Sequence, residues 1–167
     1  MEVTIRRART SDVTTIRRLV DEYADKRILL DKPTVTLFED VQEFWVAERA
    51  DDRAVVACGA LHVMWEDLAE VRTLAVDVAC RGHGVGHALL GKLLETARWL
   101  GVRRIFCLTF EVDFFARHGF VEIEATPVDP DVYRELLRSY DEGVAEFLDL
   151  ERVKPNTLGN TRMLLHL

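Results

Sequence analysis

Apolar and polar positions along the chain follow two periods, one helical and one extended. Val3 to Arg7 predicts a short first strand. Thr10-Ser11-Asp12 then supplies helix-capping side chains, and Val13, Ile16, Leu19, Val20 and Tyr23 recur at helical spacing, which predicts an amphipathic first helix. Lys26 to Pro33 reads as a loop, and Leu37, Val41 and Phe44 suggest a short second helix. Phe44–Glu48 and Ala54–Trp65 read as strands joined by the polar turn Ala50-Asp51-Asp52-Arg53, and Glu66-Asp67 marks a further tight turn. In the next strand, Glu70–Val78, the first part alternates and the later part is almost wholly apolar. That shift implies one strand end near solvent and the other buried. Val85, Leu89, Leu93, Ala97 and Leu100 form one helical stripe, closed by Gly101. Arg104–Thr109 is a further apolar strand. Strand, glycine loop, helix and strand in that order make a parallel crossover unit. Asp113–His118 and Pro130–Tyr140 read as helices, Phe120–Ile123 and Thr161–His166 as strands. The fold class is α+β, with a largely antiparallel first half and one parallel crossover.

Composition narrows the reading. A chain of 167 residues that is 49% apolar can bury one sizeable core, so residues 1–167 are expected to form a single domain. Lys+Arg 22 against Asp+Glu 29 gives a net charge of −7, which argues against a nucleic-acid partner but not against a small anionic ligand. Three cysteines without a CxxC pair argue against a disulfide framework and against a metal site, and Cys58 and Cys107 read as small buried hydrophobes. No segment has the apolar length of a membrane span, and the basic N-terminus is followed by no apolar run, so a cytoplasmic protein with no membrane partner is expected.

The strongest chemical signal is Arg81-Gly82-His83-Gly84-Val85-Gly86-His87. Glycines at alternate positions let backbone approach a ligand, and a helix starting there aims unpaired N–H groups and its dipole at a phosphate. Arg81 and His83 add donors. A P-loop would need Gly-Lys-Ser/Thr, but Gly86 is followed by His87-Ala88; a dinucleotide fingerprint fails because His87 or Leu89 stands at its third glycine. Arg-x-x-Gly-x-Gly after a strand and before a helix is matched by Arg81 to Gly86, against a plain tight glycine turn with no ligand, which would not require three glycines and two cationic side chains.

In that motif the sequence resembles the GNAT superfamily of acyl-CoA-dependent N-acetyltransferases. The loop Arg81 to Gly86 resembles the family's pyrophosphate-binding motif, and Leu74-Ala75-Val76 the strand segment that hydrogen-bonds the pantetheine arm. Phe114-Phe115-Ala116-Arg117-His118-Gly119-Phe120 resembles its later motif. The resemblance implies acetyl-CoA as co-substrate, held by Leu74, Ala75, Val76, Arg81, Gly82, His83, Gly84, Val85, Gly86 and His87, with Phe114 and Phe115 packing against the pantetheine or the core. A narrower likeness covers nearly the whole chain. Arg6-Arg7-Ala8-Arg9-Thr10-Ser11-Asp12-Val13, Ile28-Leu29-Leu30, Glu70 to Val76 and Asn156 to Leu165 resemble the short amino-acid N-acetyltransferases of actinobacteria, which make N-acetylglutamate for arginine biosynthesis.

That chemistry needs a base, because an α-amine is mostly protonated at neutral pH. Glu70, at the start of the motif-bearing strand, is the candidate. N–H groups near Thr73 and Leu74 suit the oxyanion. Arg72 lies two residues beyond Glu70, hence on the same strand face, and suits an α-carboxylate. Thr73, Lys32, Arg27 and Arg162 complete the acceptor candidates. Asp31 breaks the basic pair that Lys32 would form in longer synthases, which leaves glutamate and glutamine both open as acceptors. Many family members protonate the leaving thiolate with a tyrosine in the later motif; here Phe114 and Phe115 stand there, so either the thiolate leaves unassisted or water, Ser139, Tyr140 or Cys107 serves. His62, His118 and His166 read as structural. The competing readings are a transferase for another small amine or protein amine, and a non-enzymatic acyl-CoA sensor. A second copy of the chain is an expected partner, since a sheet edge invites pairing.

Overall fold

The computed structural model describes residues 1–26, 29, 31–154 and 159–167. Arg27, Ile28, Leu30 and Asn156 from the sequence reading lie outside the described residues. In chain order the elements open with β1 (Val3–Arg7), α1 (Val13–Ala24) and α2 (Thr34–Glu39). The hairpin strands follow: β2 (Phe44–Arg49), β3 (Val55–Trp65) and β4 (Leu68–Val76). Next come α3 (Val85–Leu100), β5 (Arg104–Thr109), α4 (Val112–Ala116) and β6 (Val121–Glu122). The chain closes with α5 (Pro130–Leu136), α6 (Glu142–Phe147) and β7 (Thr161–His166). The strands form one mixed sheet in the order β1-β2-β3-β4-β5-β7-β6. β4 and β5 run parallel, over Leu68–Glu70 against Arg104–Phe106, as the expected crossover through α3 requires.

Two compact units can be distinguished, Met1–His62 with Val71–Leu100 and Val63–Glu70 with Gly101–Leu167. In the first, α1 and α2 bury Ile16, Leu19, Val20 and Leu37 against Val46, Cys58, Ala60 and Ala75 of the strands. A second cluster sets Val85 and Leu89 of α3 with Ala47, Val56 and Ala57. A Cβ on Gly59 would come within 2.9 Å of Leu74 and 3.1 Å of Leu93, so glycine there admits both leucines. In the second unit Phe106, Phe147, Leu136, Val144 and Leu164 form the core, with Phe106 edge-on to Phe147 at 5.3 Å between centroids.

Several expectations change in detail. Of Leu37, Val41 and Phe44 only Leu37 lies in α2; a single 3-10 turn, Val41–Glu43, follows, and Phe44 opens β2 as a buried residue. Asp12 does not cap α1 with its side chain. Its carboxylate instead accepts the Arg9 N–H at 2.7 Å and two Arg6 N–H groups, an ion pair that holds Asp12 below the usual carboxylate range. The alternating half of β4 is its buried half: Leu68 to Thr73 are all buried, whereas Leu74 and Val76 are half-buried. The helix read over Pro130–Tyr140 ends at Leu136, because Asp141 caps a separate helix, α6, by accepting the Val144 N–H at 3.0 Å. Leu100 is exposed rather than part of the α3 stripe.

Candidate active site

The local structure of β4 is irregular where the chemistry was expected. Thr73 has φ +57°, left-handed backbone inside a strand. A β-branched residue there is strained, and such strain persists where the surrounding structure fixes it. Glu70 is 4% exposed and Arg72 8% exposed, so both charged side chains are buried. Beyond Val76, Asp77 accepts the Ala79 N–H at 3.0 Å and turns the chain into the glycine loop.

Gly82 and Gly84 each have φ +76°, and a Cβ on either would meet nothing within 4 Å. Glycine is therefore required by backbone angle and not by crowding, and the space around this backbone is open. Arg81, Gly82, His83 and Gly84 are exposed, and the 16-residue helix α3 begins at Val85 with its first N–H groups directed out of the helix. A pyrophosphate fits such a cradle, since these donors and the helix dipole favour negative charge. His83 Nδ1 lies 2.9 Å from the Arg81 carbonyl oxygen.

Tyr23 is the residue that the sequence reading assigned only to the helix stripe. Its hydroxyl donates to the Val76 carbonyl and accepts from Arg81 Nε at 3.1 Å, with the Arg81 guanidinium 5.0 Å over its ring. One α1 side chain thus fixes both the end of β4 and the first cation of the loop. No spacing marks it; only its polar tip on an otherwise apolar stripe could have drawn notice.

Lys32 and Arg72 both act electrostatically on the carboxyl of Asp40, as does His62, and the Lys32 carbonyl accepts from Arg17. Burial and the neighbouring Glu43 still raise the Asp40 pKa. His62 Nδ1 is 2.8 Å from Glu43 Oε1.

In the second unit Glu70 lies in register with Phe106 and near Cys107. Burial, and then the Glu70 charge, push the Cys107 thiol well above its ordinary pKa. Cys58 and Cys80 are likewise buried, and burial raises the Cys58 thiol to about 12. Phe115 is core, edge-on to Phe114 and Phe120 at 5.1 Å each, while Phe114 is half-buried. Tyr140 is 98% exposed. Arg162, expected as an acceptor candidate, makes three hydrogen bonds to backbone: Nε donates to Glu146 O at 3.2 Å, Nη1 to Glu124 O at 2.9 Å and Nη2 to Phe147 O. Its guanidinium thus binds two carbonyls at the end of α6 and one just past β6. Among the described residues no three His, Cys, Asp or Glu side chains gather as metal ligands would.

Residues 11–120 match the Acetyltransferase (GNAT) family. The chain belongs to this family, and it is an enzyme of the acyltransferase class. It is 65% identical over 162 residues to an amino-acid acetyltransferase of Mycobacterium tuberculosis, covering 96% of this chain and 92% of that one. A crystal structure of a Mycobacterium tuberculosis protein in complex with CoA and NLQ has a TM-score of 0.95 and 64% identity, over 98% of this chain and 99% of that one. The N-acetylglutamate synthase of Neisseria gonorrhoeae, complexed with coenzyme A and N-acetyl-glutamate, shares the fold. It gives a TM-score of 0.78 at 23% identity, over 100% of this chain and 35% of that chain.

Proposed function

We propose that the protein transfers the acetyl group of acetyl-CoA to the α-amine of glutamate or glutamine, as the first step of arginine biosynthesis in the cytoplasm. The observation that carries this reading is the continuous run from strained Thr73 through Val76 to the Gly82–Gly84 loop and α3, which suits an acyl-CoA. The similarity to an amino-acid acetyltransferase along 96% of the chain supports the acceptor class. When bound, acetyl-CoA supplies an acetyl thioester. Glu70 takes the proton that the attacking amine must lose, at its carboxylate oxygen. N–H groups around Thr73 and Leu74 hold the carbonyl oxygen as charge develops on it. Arg72 holds the α-carboxylate through its forked N–H groups, and Lys32 adds positive charge. Arg162, occupied by three carbonyls, supports the fold in this reading. With Cys107 buried, Tyr140 fully exposed and the Ser139 hydroxyl accepting the Asp141 N–H at 3.1 Å, water is the proton source for the thiolate in this reading. The chain acts as one acetyltransferase domain, with a second copy as partner at a sheet edge.

The test is product analysis by mass spectrometry after incubation with acetyl-CoA and either amino acid. An N-acetylated amino acid is expected. Acetylation of a different amine class with neither of these modified would overturn the acceptor assignment.

A further inference from the structure

Glu43 closes the 3-10 turn ahead of β2, and His62 sits on β3. Nothing in the sequence marks Glu43 for a role, and His62 reads there as structural. Their contact is made by one carboxylate oxygen only: Oε1 meets His62 Nδ1 at 2.8 Å. The other oxygen, Oε2, is buried and has no hydrogen-bond partner among the described residues. An unpartnered buried carboxylate oxygen is costly and is satisfied by a donor. The surroundings say what kind of donor. Asp40, whose carbonyl accepts the Glu43 N–H at 2.9 Å, adds a second carboxylate next to it, and Arg72, Lys32 and His62 act as positive charges on the Asp40 carboxyl. Cations and anions side by side in a partly buried cluster complement a zwitterion, which carries one charge of each sign on a single carbon.

We propose that Glu43 Oε2 receives the α-ammonium of the acceptor amino acid while Arg72 receives its α-carboxylate, with His62 holding the Glu43 carboxylate in place. This assignment rests on the acceptor being an α-amino acid. Glu43 then orients the nitrogen that becomes the nucleophile, and the acceptor head group is read by a charge pair. Recognition of the head group by Glu43 is independent of the acceptor's side chain.

The test measures kcat and KM for glutamate and for glutamine, at saturating acetyl-CoA, in the natural protein, Glu43→Gln and Glu43→Asp. Glu43→Gln is expected to raise KM for both acceptors at least tenfold and by the same factor, with KM for acetyl-CoA within twofold. Glu43→Asp is expected to restore part of that loss, because the charge returns. Unchanged acceptor KM in a folded Glu43→Gln protein overturns the proposal, and so does a loss confined to one acceptor, which would place Glu43 at the side chain. Should neither variant fold, the natural protein decides. 4-Carbamoylbutanoate, glutamine without its α-amine, is expected to compete at least tenfold more weakly than glutamine binds; equal competition overturns the proposal. Turnover of neither amino acid by the natural protein would instead remove the acceptor assignment itself, and this one with it.

Discussion

Arg72 on β4 and Arg162 on β7 look alike in the sequence, each a cation in an apolar strand, yet their regions use them differently. In the first unit Arg72, Lys32 and His62 all act electrostatically on the Asp40 carboxyl, and strained Thr73 follows Arg72 in the strand. Around Arg162 the second unit offers the carbonyls of Glu124, Glu146 and Phe147 and the face of Phe106. Carbonyls at the end of a helix are natural partners for a cation. The contrast is between a strand arginine set among charged side chains and one whose donors are taken by backbone carbonyls; in the proposed reading the first binds the acceptor and the second braces the fold.

The largest way to break that contrast is at the loop. Gly84→Val puts a β-branched side chain at φ +76°, so acetyl-CoA affinity by calorimetry should fall at least about 100-fold, given the strain and the lost backbone cradle. Glu70→Gln should lower kcat by about 100-fold, the usual scale of a lost general base, with KM for acetyl-CoA nearly constant. Identical kcat–pH profiles for this variant and the natural protein would remove Glu70 as the base. Arg72→Ala and Arg162→Ala then separate the two arginines. The first should raise KM for the amino acid about tenfold or more, the scale of a lost charge-assisted fork. The second should leave that KM alone and cost about 2 kcal/mol of stability, from carbonyls left without donors, read as a lower melting temperature.

The smallest effect concerns pH and lies away from the site. The Asp12 carboxyl is held down by Arg6, so its pKa is lower folded than unfolded. Its contribution to stability is therefore present above the unfolded carboxyl pKa and is lost as pH falls through the folded one. Asp12→Asn should flatten the acid limb of the stability curve, measured by denaturant unfolding from neutral pH downward.

Much of this was readable before the structure. The glycine loop, the α3 stripe from Val85 to Ala97 and the parallel crossover follow from local pattern, because backbone angle and helical period act over a few residues. Three features did not follow. The burial of Glu70 and Arg72 depends on what packs over β4, and alternating polarity usually means the opposite. The link from Tyr23 to Val76 and Arg81 spans more than fifty positions, with no spacing rule behind it. The break between α5 and α6 turns on whether Asp141 caps a new helix or sits within an old one, a choice decided by the packing of Val144 and Phe147.

The most direct measurement is thiol release from acetyl-CoA against the standard amino acids and a few polyamines. Release with glutamate or glutamine, and not with the polyamines, is the expected result. Release only with other amines, or none despite tight acetyl-CoA binding, would contradict the amino-acid acceptor while leaving the fold and the loop unchanged.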